Sequence, residues 1–131
     1  MITDEIETYL TGLTATNTIC STLGTTFSSV YIGGEPPDVS PCIAIFPYGG
    51  SAPSPEGDRQ NPSVQIRLKH SNRQTALKTM QAIINDFHGN TSIVNRGKLY
   101  AKQSSPIIFE MQQGGEYIVT ISNYDIKHIK I

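Results

Sequence analysis

Apolar residues recur along this chain at two spacings. In TDEIETYLTGL, residues 3 to 13, Ile6, Tyr9, Leu10 and Leu13 join Ile2 on one stripe of helical period, which predicts an amphipathic helix. Thr3 is placed to cap it, and Asp4, Glu5 and Glu7 suit the positive end of a helix dipole. A longer stripe of Ala76, Leu77, Met80, Ile83, Ile84 and Phe87 predicts the main helix over 71–88. Ser71 and Gln74 form a capping box at its start, and Gly89 stands where a left-handed C-terminal cap belongs. Between the two, TATNTICSTLGTTF fits either a short helix running to Gly24 or an irregular connection.

The other spacing is two. SVQIRLKH, residues 63 to 70, sends Val64, Ile66 and Leu68 one way and Gln65, Arg67 and Lys69 the other, so one side meets the core and the other meets water or a partner. CIAIF, residues 42 to 46, reads as a strand buried on both faces. FSSVYIG at 27–33 predicts a short strand, and the three prolines of GEPPDVSP make the following stretch a turn or an extended bridge. KLYAKQ at 98–103, PIIFEMQ at 106–112 and EYIVTISNYDI at 116–126 read as a β-meander, with Gln113-Gly114-Gly115-Glu116 as its last turn. The tail KHIKI extends the last strand or lies free. The order α, β, β, β, α, β, β, β predicts an α+β fold, a largely antiparallel sheet with helices on one face, in a single domain spanning 1–131.

One segment is not explained by either period. From Tyr48 to Pro62 the chain reads as a polar Gly/Pro loop, long for a compact domain unless it touches something. Its charges are Glu56, Asp58 and Arg59, which could form a catalytic cluster, although proline-flanked loop charges more often just keep a loop soluble.

Composition narrows the function. The 131 residues can bury roughly two-thirds of their unfolded surface in one core without a disulfide framework. The formal net charge is −1 and only 16% of residues are charged, without the basic excess of a sequence-independent nucleic-acid binder. Cys20 and Cys42 stand far apart with no zinc-type spacing and are expected as buried or half-buried thiols. The acidic N-terminus lacks the features of a signal peptide, and no apolar run approaches the ~18 residues of a membrane span. A soluble protein made in the cytoplasm is expected.

Candidate chemistry is sparse. His70, His88 and His128 sit at element ends without ligand spacing. The pairs Gly33-Gly34, Gly49-Gly50 and Gly114-Gly115 end or join strands, whereas a phosphate loop needs a glycine turn leading into a helix. No catalytic, metal or cofactor site is expected.

The order of a short helix, VYIGGEPPDVSPCIAIFPYGG, a polar loop, NPSVQIRLKHSNRQTALKTMQAIINDFHG and the late pair SSPIIFEMQQGGEYIVTISNYDI resembles the tail terminator family of long-tailed bacteriophages. The likeness runs from Val30 to Asp125 and is most specific at Pro62–Arg67 and at Phe87-His88-Gly89. It departs at Gln113–Glu116, where family members often carry a Gly-Arg-Asp type turn.

The resemblance implies a structural virion protein, assembled in the host cytoplasm. It implies a ring, usually a hexamer, that caps the tail tube, stops its polymerisation and joins the head connector. Genomic DNA would pass through the lumen without sequence-specific binding. On that reading the interface residues are Tyr48, Glu56, Asp58, Arg59, Gln60, Arg67 and Lys69. Two alternatives stand beside it: another neck or head-completion protein, or a small ligand-binding domain with a pocket lined by Tyr48, His70 or Cys42.

Overall fold

A computed structural model describes residues 2–27, 30–33, 42–51, 61–94, 97–111 and 118–128. In chain order they form α1 (Ile2–Thr11), α2 (Thr18–Leu23), β1 (Tyr31–Ile32), β2 (Cys42–Ser51), β3 (Asn61–His70), α3 (Arg73–Phe87), β4 (Gly97–Ala101), β5 (Ile107–Met111) and β6 (Ile118–His128). The fold is α+β: a six-stranded, mainly antiparallel sheet with helices packed on one face.

The sheet runs β1-β2-β3-β6-β4, and β5 also pairs with β6. Among the described strands only β1 and β2 pair in parallel. β6 is the hub. One of its edges carries β3 from Ser63↔Asp125 to His70↔Ile118; the other is shared by β4 (Gly97↔His128 to Ala101↔Tyr124) and β5 (Ile107↔Ile121 to Met111↔Ile118). The predicted meander of the last three strands is therefore corrected, since β4 pairs with β6 and not with β5. Closing that long-range register lets β6 bury its helix-side residues Ile118, Thr120, Ser122, Tyr124 and Ile126.

α3 lies across this face. Ala76, Thr79, Met80, Ile83, Ile84 and Phe87 are buried, with Thr79 taking the place predicted for Leu77, which is half-buried. The Phe87 ring meets Tyr124 of β6 at 5.4 Å and Tyr9 of α1 at 5.8 Å, which ties three elements together. Ile43, Ile45, Val64, Ile66, Leu68 and Leu99 complete the helix-side core with Ile6 and Leu10 of α1.

The caps differ from the sequence reading. Asn72, not Ser71, caps α3 by accepting the Thr75 N–H at 3.0 Å, and its own N–H donates to His70 Nδ1 at 2.8 Å. Thr3 is buried inside the first turn of α1, so it does not cap it. Gly89 takes the left-handed conformation expected (φ 76°) and donates its N–H to Leu99 O at 2.7 Å, joining the helix end to β4. The ambiguous 14–27 stretch contains a true helix, α2, capped by Asn17 and ended by Gly24 at φ 90°. The predicted 27–33 strand is reduced to β1; residues 28–29 and the bridge 34–41 lie outside the described residues.

The largest correction concerns the 48–62 loop. β2 continues through Pro47 and the Gly pair to Ser51, and β3 begins at Asn61, paired as Tyr48↔Ser63 and Ser51↔Asn61 with a shift of register between. Most of each flank is thus a two-stranded arm, and the connection shrinks to residues 52–60, which lie outside the described residues.

Candidate functional site

The face of the sheet away from the core helices is the natural candidate. Strand alternation places Phe46 of β2, Ser63, Gln65, Arg67 and Lys69 of β3, Asn123, Asp125 and Lys127 of β6, and Lys98 and Tyr100 of β4 on that side. Toward the Ser63 end the side chains form a cross-strand ladder. Ser63 Oγ donates to Asp125 Oδ1 at 2.6 Å, and Lys102 Nζ stands 3.8 Å from the same oxygen. Gln65 Nε2 donates to Asn123 Oδ1 at 3.0 Å, and Asn123 Nδ2 to Gln103 Oε1 at 3.4 Å. Arg67 Nε donates to Gln65 Oε1 at 2.7 Å, and its guanidinium lies 4.5 Å over the Phe46 ring. Lys98 and Lys127 flank the Tyr100 ring at 5.5 and 5.2 Å.

These bonds fix polar groups that would otherwise be mobile, so the face offers ordered donors and acceptors at low entropic cost. A shallow depression of about 400 Å³ opens among Phe46, Gln65, Arg67, Lys102, Gln103 and Asn123. Its groups are amides, a guanidinium and an ammonium, suited to hydrogen bonding with another protein surface and lacking a nucleophile held by a base. Among the described residues no group of three or more His, Cys, Asp or Glu side chains converges as metal ligands would. No helix among them is long and apolar enough to cross a membrane.

The other end of this face behaves differently. Cys42, Ala44, Lys69, Val119 and Ile121 are all buried, so CIAIF is covered on both sides as its apolar run predicts. Lys69 is fully buried, unlike Gln65 and Arg67, with which it was expected on a stripe meeting water or a partner. Of the predicted interface residues, Arg67 belongs to the ladder. Tyr48 contributes backbone to the β2–β3 arm, and Glu56, Asp58, Arg59 and Gln60 fall outside the described residues. The amide ladder was missed in the sequence because its members sit on strands more than fifty residues apart.

Two further titratable side chains, Tyr9 and His88, have structural partners. Tyr9 donates to Asp86 Oδ2 at 2.6 Å; burial first, then this carboxylate, push its pKa up to about 12. His88 is not a merely solvated helix end: its Nδ1 accepts the Ala101 N–H at 3.0 Å, and its ring packs edge-on to Tyr100. Cys20 and Cys42 are buried free thiols, and burial raises the Cys20 pKa. A cleft of about 570 Å³ between α2 and α3 is lined by Asn17, Thr18, Thr22, Lys78 and Asp86 among others. His70 and Cys42, two of the three residues named for a ligand-binding pocket, are not among its lining residues.

Both outermost strands at the β1 and β5 sides carry apolar side chains into solvent. Ile32 of β1 is 41% exposed, and Ile107 and Ile108 of β5 are 38% and 39% exposed.

Comparison with curated proteins gives no match. A family model described as bacteriophage tail terminator protein matches residues 10–124, from the end of α1 to the middle of β6, and so takes in nearly every element of the sheet and its helices. The chain belongs to the bacteriophage tail terminator family.

Proposed function

We propose that this chain forms a ring, a hexamer on the strength of the family resemblance, that caps the finished tail tube, halts its growth and presents a surface to the head connector. The observation that carries the reading is the family match across residues 10–124, which gives the protein a structural, tail-completing role in the phage particle. In this reading the whole chain acts as one domain and DNA passes through the lumen. The ordered amide ladder around Arg67 is one protein-contact surface. The connection at the end of the β2–β3 arm, with Glu56, Asp58, Arg59 and Gln60, is another. Lys69 drops out of the set, because a fully buried ammonium cannot meet a partner. A ring placed between tail tube and head connector needs a surface for each, and the ladder face and the β2–β3 arm are two such patches.

The test is genetic and structural. A phage lacking this gene should produce tails of uncontrolled length and heads that remain unjoined, both restored by supplying the protein. Tails of normal length already joined to heads would overturn the reading. Deleting 52–58 should leave the monomer folded and abolish joining; joining that survives the deletion removes the connection from the contact surface.

A further inference from the structure

We propose that copies of this chain join edge to edge, the β5 edge of one subunit pairing antiparallel with the β1 edge of the next. The sheet then runs on from subunit to subunit with every helix layer on the same side. This rests on the ring reading above and names the contact that would build the ring.

The first observation is where the exposed apolar residues lie. Ile32, Ile107 and Ile108 are the exposed large hydrophobics among the described residues, and they sit on strands at opposite sides of one sheet. Single exposed apolar residues are ordinary, but proteins usually blunt sheet edges with charge or proline because open edges recruit other strands. Here β4 carries such charge in Lys98 and the adjoining Lys102; β1 (Tyr31–Ile32) carries none, and β5 begins with the uncharged pair Ile107-Ile108 and has one charged residue, Glu110.

The second observation is direction. β1 runs with β2, β3 opposes β2, β6 opposes β3, and β5 opposes β6. β5 therefore runs against β1. A rotation about an axis along the strands preserves each strand's sense, so β5 of one copy meets β1 of the next as an antiparallel pair.

The third is the facing of the side chains. Ile32 is in register with Ile45 and Ile108 with Thr120, so both lie on the helix side. Tyr31 is in register with Ala44 and Ile107 with Ile121, which places both on the opposite side. A continued sheet sets Ile108 beside Ile32 and Ile107 near Tyr31, covering apolar surface on both faces at once. A two-fold contact, β5 on β5 or β1 on β1, covers one edge and leaves the other exposed; the head-to-tail contact covers both and is the type of contact from which closed rings are built.

The double variant I32C/I108C tests this in the full chain. It is oxidised both in concentrated solution and in lysates where the phage assembles, with the parent, whose two thiols are buried, as control. The expected result is a ladder of covalent multimers longer than dimers, absent from I32C, I108C and the parent. Dimers from either single variant would indicate a two-fold contact and overturn the proposal, as would the absence of a ladder in both settings. The presence of the variant on tails is scored separately. Tails that carry it without a ladder overturn the edge contact and leave the tail role intact; a ladder in solution from a protein absent from tails does the reverse. I108K, at a solvent-reaching position, should keep the parent's circular dichroism and associate at least ten-fold more weakly; unchanged association overturns the contact.

Discussion

Phe87 is the side chain on which the helix layer and the sheet converge, and replacing it by alanine tests that packing directly. The ring is fully buried and touches Tyr9 of α1 and Tyr124 of β6. Deleting a buried phenylalanine ring costs about 3–5 kcal/mol through lost transfer energy and the cavity left behind. Two aromatic partners, each worth roughly 0.5–1.5 kcal/mol beyond area, put this site toward the top of that range. With a urea m-value of about 2 kcal/mol/M, the unfolding midpoint of F87A should fall by roughly 2 M. A domain at the lower end of the ordinary range, about 5 kcal/mol, survives such a loss only narrowly. F87L keeps most of the volume and should cost less than about 1.5 kcal/mol. The assay is urea unfolding followed by far-ultraviolet circular dichroism, with the m-value required to match the parent. A shift below about 0.5 M for F87A would mean the ring is not the junction described. So would equal shifts for F87A and F87L, because cavity volume would then not decide the cost.

Two further predictions follow the caps and the histidine beside them. N72A should destabilise the protein by about 1 kcal/mol and S71A by less than about 0.5 kcal/mol; the reverse order in thermal or urea unfolding would restore Ser71 as the cap. Burial lowers the pKa of His70, and its Nδ1 accepts the Asn72 N–H, so the fold favours the neutral ring. The unfolded chain then binds the proton more readily. Stability should be full above the ordinary histidine pKa near 6.5 and decline as pH falls from there through the lower folded value. H70Q should flatten this part of the stability profile, measured as urea midpoint against pH, and an unchanged slope would refute the assignment.

What could be read in the sequence was local. The stripe of α3 and the alternation of Val64, Ile66 and Leu68 are visible because both report burial through a fixed period, and burial decides these elements. The β2–β3 arm was hidden because Pro47, Gly49 and Gly50 carry low strand propensity; pairing with β3 overrides it. Ser71 and Asn72 are both good caps, and the choice between them is made by the turn that brings His70 Nδ1 to the Asn72 N–H. Lys69 reads as a polar outward residue, yet its neighbours across the strands, Cys42 and Val119, are themselves buried. No one-dimensional pattern reports that side of the sheet. The amide ladder depended on the same long-range pairing, so of its members only Gln65 and Arg67, on one face of β3, could be placed together beforehand.

The placement of β6 bears on how the protein is made. It pairs with β3, β4 and β5, all of which precede it in the chain, so the sheet lacks its middle until residue 128 has been translated and released from the ribosome. Until then α3 has no Tyr124 or Ser122 to pack against, and the helix-side face of β3 stays open. Folding should therefore be a late, concerted event governed by contacts distant in sequence, slower than for a helical domain of equal length. A chain interrupted before residue 118 would yield no partly folded subunit able to enter an assembly, which gives the particle a built-in check on incomplete copies.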